Sequence, residues 1–131
     1  MGRADELALV GAALDDGRPG VVLAGPGGVG KTRLAVEGLR RAEQAGWQTR
    51  RLTATRSAAG VPLAVFAPLL DGADTSGQPL GRVREAVRGE GHRRGVLLVD
   101  DAHLVDPASA GLLLQLAADG GTALLVTIRT G

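Results

Sequence analysis

Gly25-Pro26-Gly27-Gly28-Val29-Gly30-Lys31-Thr32 is the stretch that decides how the rest of this chain is read. It fits the pattern G-x-x-x-x-G-K-[ST] in full, with a short apolar run before it and a helical repeat after it. Glycines let such a loop turn its backbone N–H groups inward around a β-phosphate, where side chains would block both the turn and the approach. Gly25, Gly28 and Gly30 carry the turn, with Pro26, Gly27 and Val29 between them. Lys31 is expected to reach the β and γ oxygens as a compact cation, and the Thr32 hydroxyl to coordinate magnesium. Arg33 follows as a further nucleotide-contacting position, and the helix behind the loop aims its positive end at the phosphates. Lys31 is also the only lysine among fifteen basic residues. The competing explanation, a glycine-rich turn that merely caps a helix in a chain with 21 glycines, leaves that lysine and the complete match to coincidence.

Working outward, residues 21–24 form a continuous apolar run of the kind that builds a strand buried on both faces. Beyond the loop, Leu34, Ala35, Leu39, Ala42 and Ala45 repeat at helical spacing, and Gly46 supplies a left-handed stop. A second strand is expected within residues 47–55, and a helix over 62–70 opened by Pro62. Residues 71–79 read as a polar loop, Leu80, Val83 and Val87 as a short amphipathic helix, and 89–95 as a basic turn flanked by glycines. Val96-Leu97-Leu98-Val99 is another buried strand. Asp106-Pro107 is a strong helix start, with the helix ending at Gly120 and Gly121, and residues 122–128 form the last strand. Apolar strands separated by long helical crossovers imply a parallel sheet covered on both faces, so the class is α/β with one domain.

The strand at 96–99 runs directly into Asp100 and Asp101, at the carboxyl edge where open α/β sheets bind ligands. Asp100 is the candidate to hold magnesium, partnering the Thr32 hydroxyl, and Asp101 to orient or polarise an attacking water. A plain strand-end carboxylate remains the alternative for each. Thr127-Ile128-Arg129 ends the last strand and puts a hydroxyl and a guanidinium near the same edge, so Arg129 is the candidate to sense a γ-phosphate. His103 reads as a solvated or packing histidine, since no second metal ligand lies at suitable spacing.

Composition removes several classes. With no cysteine in 131 residues, disulfides, thiolate metal sites and cysteine nucleophiles are excluded. A net charge of +1 gives no global attraction to nucleic acid or anionic lipid. The N-terminus carries Asp5 and Glu6 where a signal peptide would be basic and then apolar, and no run reaches membrane-spanning length, so a cytoplasmic setting without membrane contact is expected.

With these pieces in place, the chain resembles the N-terminal ATPase segment of the large ATP-binding LuxR-type transcriptional regulators, in the STAND branch of AAA-like P-loop proteins. The resemblance rests on Gly2-Arg3 with Glu6-Leu7, on the phosphate loop, on Leu97-Leu98-Val99-Asp100-Asp101-Ala102-His103-Leu104-Val105-Asp106, and on Thr127-Ile128-Arg129. The stretch from Ala54-Thr55-Arg56 through Val61-Pro62-Leu63 to Leu69-Leu70 is similar in a less specific way. It implies a P-loop NTPase three-layer sandwich with a parallel sheet, binding ATP or ADP with magnesium, and it places Gly2 and Arg3 beside the adenine. The resemblance further implies a switch between an ADP-held closed state and an ATP-bound multimer, and DNA binding only through a distant C-terminal domain. In that pattern the chain stops after the sensor strand, short of the lid, the sensor repeats, the DNA-binding domain and a further strand that would flank strand one.

Three functions stay open at this point: a slowly hydrolysing regulatory switch, a general AAA-class ATPase, and a non-catalytic binding remnant. Asp101 in place of a longer carboxylate argues mildly against the second. GTPases lack support because no N-K-x-D motif occurs, and transporter ATPases because no L-S-G-G-Q signature occurs; small-molecule kinases are not excluded by the loop alone.

Overall fold

Four parallel strands form one sheet in the order β1-β4-β3-β2. They are β1 (Gly20–Gly25), β2 (Gln48–Thr53), β3 (Gly95–Asp100) and β4 (Thr122–Arg129). The structure, a computed structural model, describes residues 3–15, 17–27, 30–70, 79–87 and 95–130. Among the described residues the α-helices are α1 (Arg3–Asp15), α2 (Lys31–Gln44), α3 (Ala67–Leu70), α4 (Pro79–Val87) and α5 (Pro107–Asp119), with short 3-10 turns at Arg56–Ala58, Ala64–Phe66 and Ala102–Leu104. Every strand pairing is parallel, with Leu97 opposite Leu124 and Arg50, and Val22 opposite Val126.

All six residues of β3 are buried, as its unbroken apolar run requires of a central parallel strand. Its side chains alternate between two cores. Leu97 and Val99 join Leu52, Leu124, Phe66, Val83, Val87, Leu112 and Leu116 on the side of α4 and α5. Val96 and Leu98 join Ala123, Leu125, Val10, Leu14, Ala35 and Ala42 on the side of α1 and α2. Each fully buried leucine or valine in these layers contributes about 1.5–3 kcal/mol relative to exposure. The result is a helix–sheet–helix sandwich, as the strand pattern implies.

Helix ends follow their sequence signals. Gly46, at φ 95°, reverses the chain after α2, and the Trp47 N–H donates to the Ala42 carbonyl at 3.0 Å to close the turn. Asp106 caps α5 by accepting from the Ser109 N–H at 3.0 Å, ahead of Pro107 in the first turn, and Gly120 ends the helix at φ 83°.

Three expectations are corrected. Residues 62–70 do not form one helix: a turn leads into a 3-10 turn at Ala64–Phe66 and then the single turn of α3. Leu63 is left-handed, with φ 61°, and its N–H donates to Asp106 Oδ2 at 3.2 Å, so a tertiary bond holds the chain out of the helix that Pro62 would have opened. Pro79 begins α4 rather than closing a loop, a position where its missing N–H costs nothing. Residues 3–15, read only as a non-secretory N-terminus, form α1, which buries Leu7, Val10 and Leu14. The expected loop at 71–78 and most of the turn at 89–95 lie outside the described residues. Gly38 is what lets α1 approach α2, because a Cβ there would stand 3.3 Å from Val10 Cγ1.

Among the described residues β1 has no neighbour on its outer edge. Val22 is 61% exposed there. A groove of about 630 Å³ runs between this edge and α1, reaching Gly30 and Lys31 at one end.

Candidate functional site

The parallel order brings the carboxyl ends of β1, β3 and β4 together, and these ends supply the loop, the acidic pair and the Thr127–Arg129 pair. Gly30 sits at φ 84° and ψ 18°, immediately ahead of α2. A side chain there would be strained by about 1–2 kcal/mol, which is why the loop needs glycine at its last turn. The Lys31 ammonium, with its residue half-buried, donates to the Pro26 carbonyl at 2.8 Å and so bridges the loop.

Thr32 and Asp100, 68 residues apart, meet at 2.9 Å through Thr32 Oγ1 and Asp100 Oδ1. Asp100 is 5% exposed. The same carboxylate oxygen accepts the Thr127 hydroxyl at 2.5 Å. Thr127 in turn accepts the Asp101 N–H at 2.8 Å. That bond helps hold Asp101 left-handed, at φ 57° and ψ 45°, a conformation that costs an aspartate less than most residues. β3 thus ends with one carboxylate turned inward and the chain reversed just after it.

Arg129 is exposed and lies over the loop: a Cβ built on Gly27 would stand 2.9 Å from its Nε. The end of β4 is fixed on both sides. Thr130 N–H donates to the Gly25 carbonyl at 3.0 Å, and Arg129 N–H donates to His103 Nδ1 at 3.1 Å. His103 is exposed, and its Nδ1 contact is with the backbone of the strand end that carries Arg129.

Gly27, Gly30, Lys31, Thr32, Arg33, Asp101 and Arg129 line one cleft of about 230 Å³, and Asp100 lies beneath it. Gly25 ends β1 at the mouth of the loop and Pro26 follows it. Gly2, Gly28 and Val29 lie outside the described residues, and Arg3 opens α1. Sequence reasoning named the Thr127 hydroxyl as near this edge but missed it as the group joining Asp100 to Asp101. It also missed His103 as a partner of the Arg129 backbone. The only signal for either was their spacing around the acidic pair and the last strand.

The donor set suits a hard divalent cation held partly by phosphate. Asp100 is a buried carboxylate whose partners are hydroxyls, and no cation pairs with it among the described residues. Burying an uncompensated carboxylate is costly, so a cation beside it relieves a penalty the protein otherwise carries. No cluster of three or more His, Cys, Asp or Glu side chains occurs among the described residues. Such an ion would therefore take its remaining ligands from phosphate and water, which is how magnesium is usually held.

No family model matches the chain, and no curated protein does. Solved structures do. It is similar to PCH-2 from C. elegans, with TM-score 0.62 and 13% identity, over 98% of this chain and 37% of that one. It is similar to AMPPCP-bound DnaA from Aquifex aeolicus, with TM-score 0.61 and 18% identity, over 98% of this chain and 40% of that one. A DNA replication initiation factor matches with TM-score 0.54 and 17% identity, over 98% of this chain and 39% of that one. The chain spans roughly two fifths of the length of each. No helix among the described residues is long and apolar enough to cross a membrane. At these identities the likeness fixes the architecture, and with the four-stranded parallel sheet and its two helical layers it gives the chain the α/β fold of the P-loop NTPases.

Proposed function

We propose that the chain is the ATP-binding, slowly hydrolysing nucleotide switch module of a LuxR-type transcriptional regulator, working in the cytoplasm with magnesium. The observation that carries the nucleotide reading is the meeting of Thr32 with the buried Asp100 at the mouth of α2. A loop hydroxyl and a strand-end carboxylate converge where the helix points its free N–H groups. Adenine nucleotide as the ligand is supported by the fold neighbour DnaA, whose structure holds AMPPCP. The regulator context is supported by the sequence resemblance around the acidic pair and the last strand.

In this reading the loop N–H groups and Lys31 hold the β- and γ-phosphates, and Thr32 with Asp100 would hold magnesium. Bound there, the ion would neutralise charge on the phosphate oxygens. Asp101 orients the water, and Arg129, over the loop, senses the γ-phosphate. Gly2 and Arg3 would lie on the base side. Self-association and DNA binding belong to the longer protein in this proposal, the latter through a separate domain.

Calorimetry with magnesium and ATP tests it: the wild-type chain binds, Lys31→Ala abolishes triphosphate binding, and Asp101→Ala binds but turns over more slowly. Equal loss of binding in both variants contradicts the roles assigned. A second reading, a general AAA-class ATPase, is favoured by the fold neighbours. It requires many turnovers per minute on assembly, so single-turnover rates of a few per hour exclude it.

A further inference from the structure

The β3–β4 ladder ends at Val99 opposite Val126, yet β4 continues for three more residues to Arg129. Two hydrogen bonds replace the missing rungs. Asp101 N–H donates to the Thr127 hydroxyl, and two residues further on Arg129 N–H donates to His103 Nδ1. The second bond belongs to an exposed N–H that water would satisfy equally well, so it adds little to folding. What it does is fix the last residue of β4 to the turn that follows the acidic pair, from where the Arg129 side chain lies over Gly27.

We infer that His103 is a positioning residue: its Nδ1 holds the Arg129 backbone so that the guanidinium stands over the phosphate loop in readiness for a γ-phosphate. This rests on the nucleotide reading above. A backbone N–H can only donate, so this bond uses the lone pair of Nδ1 as its acceptor.

The readout is discrimination between ATP and ADP, because Arg129 meets only the triphosphate. Calorimetry of the full chain with magnesium and each nucleotide is run on wild type, His103→Ala and His103→Asn. His103→Ala is expected to lower the ATP/ADP affinity ratio about two- to tenfold, the worth of one modest hydrogen bond, while ADP affinity stays put. His103→Asn, whose Oδ1 offers an acceptor where Nδ1 was, restores the ratio.

An unchanged ratio in His103→Ala, or a ratio in His103→Asn as low as that in His103→Ala, overturns the inference while leaving nucleotide binding intact. Wild type that binds neither nucleotide overturns the site reading and this inference with it. If His103→Ala fails to fold, His103→Leu, which keeps side-chain bulk but offers no acceptor, is compared with His103→Asn in its place, and equal ratios in those two overturn the inference.

Discussion

Thr127→Val replaces a hydroxyl by a methyl of nearly the same volume at a position 1% exposed, so it changes hydrogen bonding with little change in packing. Two bonds go: the donation to Asp100 Oδ1 and the acceptance from the Asp101 N–H. Losing a hydrogen bond to a buried carboxylate costs about 1.5–3 kcal/mol, and the half-buried N–H left without its partner adds about 1 kcal/mol. Burying an apolar group in place of the hydroxyl returns about 1 kcal/mol. The net destabilisation is about 2 kcal/mol, which for a chain of 131 residues lowers Tm by about 6–8 °C. Urea unfolding followed by circular dichroism measures it, with an unchanged m-value showing that the unfolded state is not the cause. Thr127→Ser keeps both bonds and should recover most of the loss. A Thr127→Val chain within about 0.5 kcal/mol of wild type would refute the claim that this hydroxyl joins the acidic pair to β4.

Asp106 gives a pH prediction. Burial pushes its carboxyl up, but hydrogen bonds from the Ser109 side chain, the Ser109 N–H and the Leu63 N–H together outweigh it, and the carboxyl titrates below its ordinary value. A lowered folded-state pKa contributes stability above the unfolded value, about 4, and the contribution is lost as pH falls from there through the folded value. The stability difference between wild type and Asp106→Ala in urea titrations should therefore shrink below about pH 4, and a difference that grows on acidification would contradict the assignment. Gly30→Ala should destabilise the fold by about 1–2 kcal/mol through its positive φ and weaken nucleotide binding, both read from urea curves with and without ATP. Val22→Lys, on the open edge of β1, should reduce concentration-dependent association in light scattering without lowering Tm; unchanged association would place the contact elsewhere.

Local chemistry was enough for the phosphate loop, the central strand and the caps of α2 and α5. Eight consecutive residues carry the loop signal. Four apolar residues in a row describe a strand covered on both faces, and Gly46, Asp106-Pro107 and Gly120 act through their own backbone or a side chain three residues away. α1 was not legible in the same way. Its buried Leu7, Val10 and Leu14 do repeat at helical spacing, but Leu9, Ala8, Gly11 and Ala12 put apolar and small residues on the exposed side as well, so the contrast between a packing face and a solvent face is weak. The segment after Pro62 carries helical spacing, but the Leu63 N–H finds Asp106, 43 residues on, and that distant bond overrides local preference.

A glycine loop ahead of a helix bearing Lys31 and Thr32, and a buried strand that delivers two carboxylates, are legible before any folding is considered. Those facts follow from the spacing and type of neighbouring residues. Folding in three dimensions settled how Thr127 joins the two carboxylates and that His103 ties down the strand end bearing Arg129, and it brought Asp100, the carboxylate matched to Thr32 from sequence, within 2.9 Å of that hydroxyl. Each is a contact between groups 26 to 68 residues apart, set by strand order and register. No local pattern encodes them, because they exist only once β1, β3 and β4 lie side by side with their carboxyl ends together.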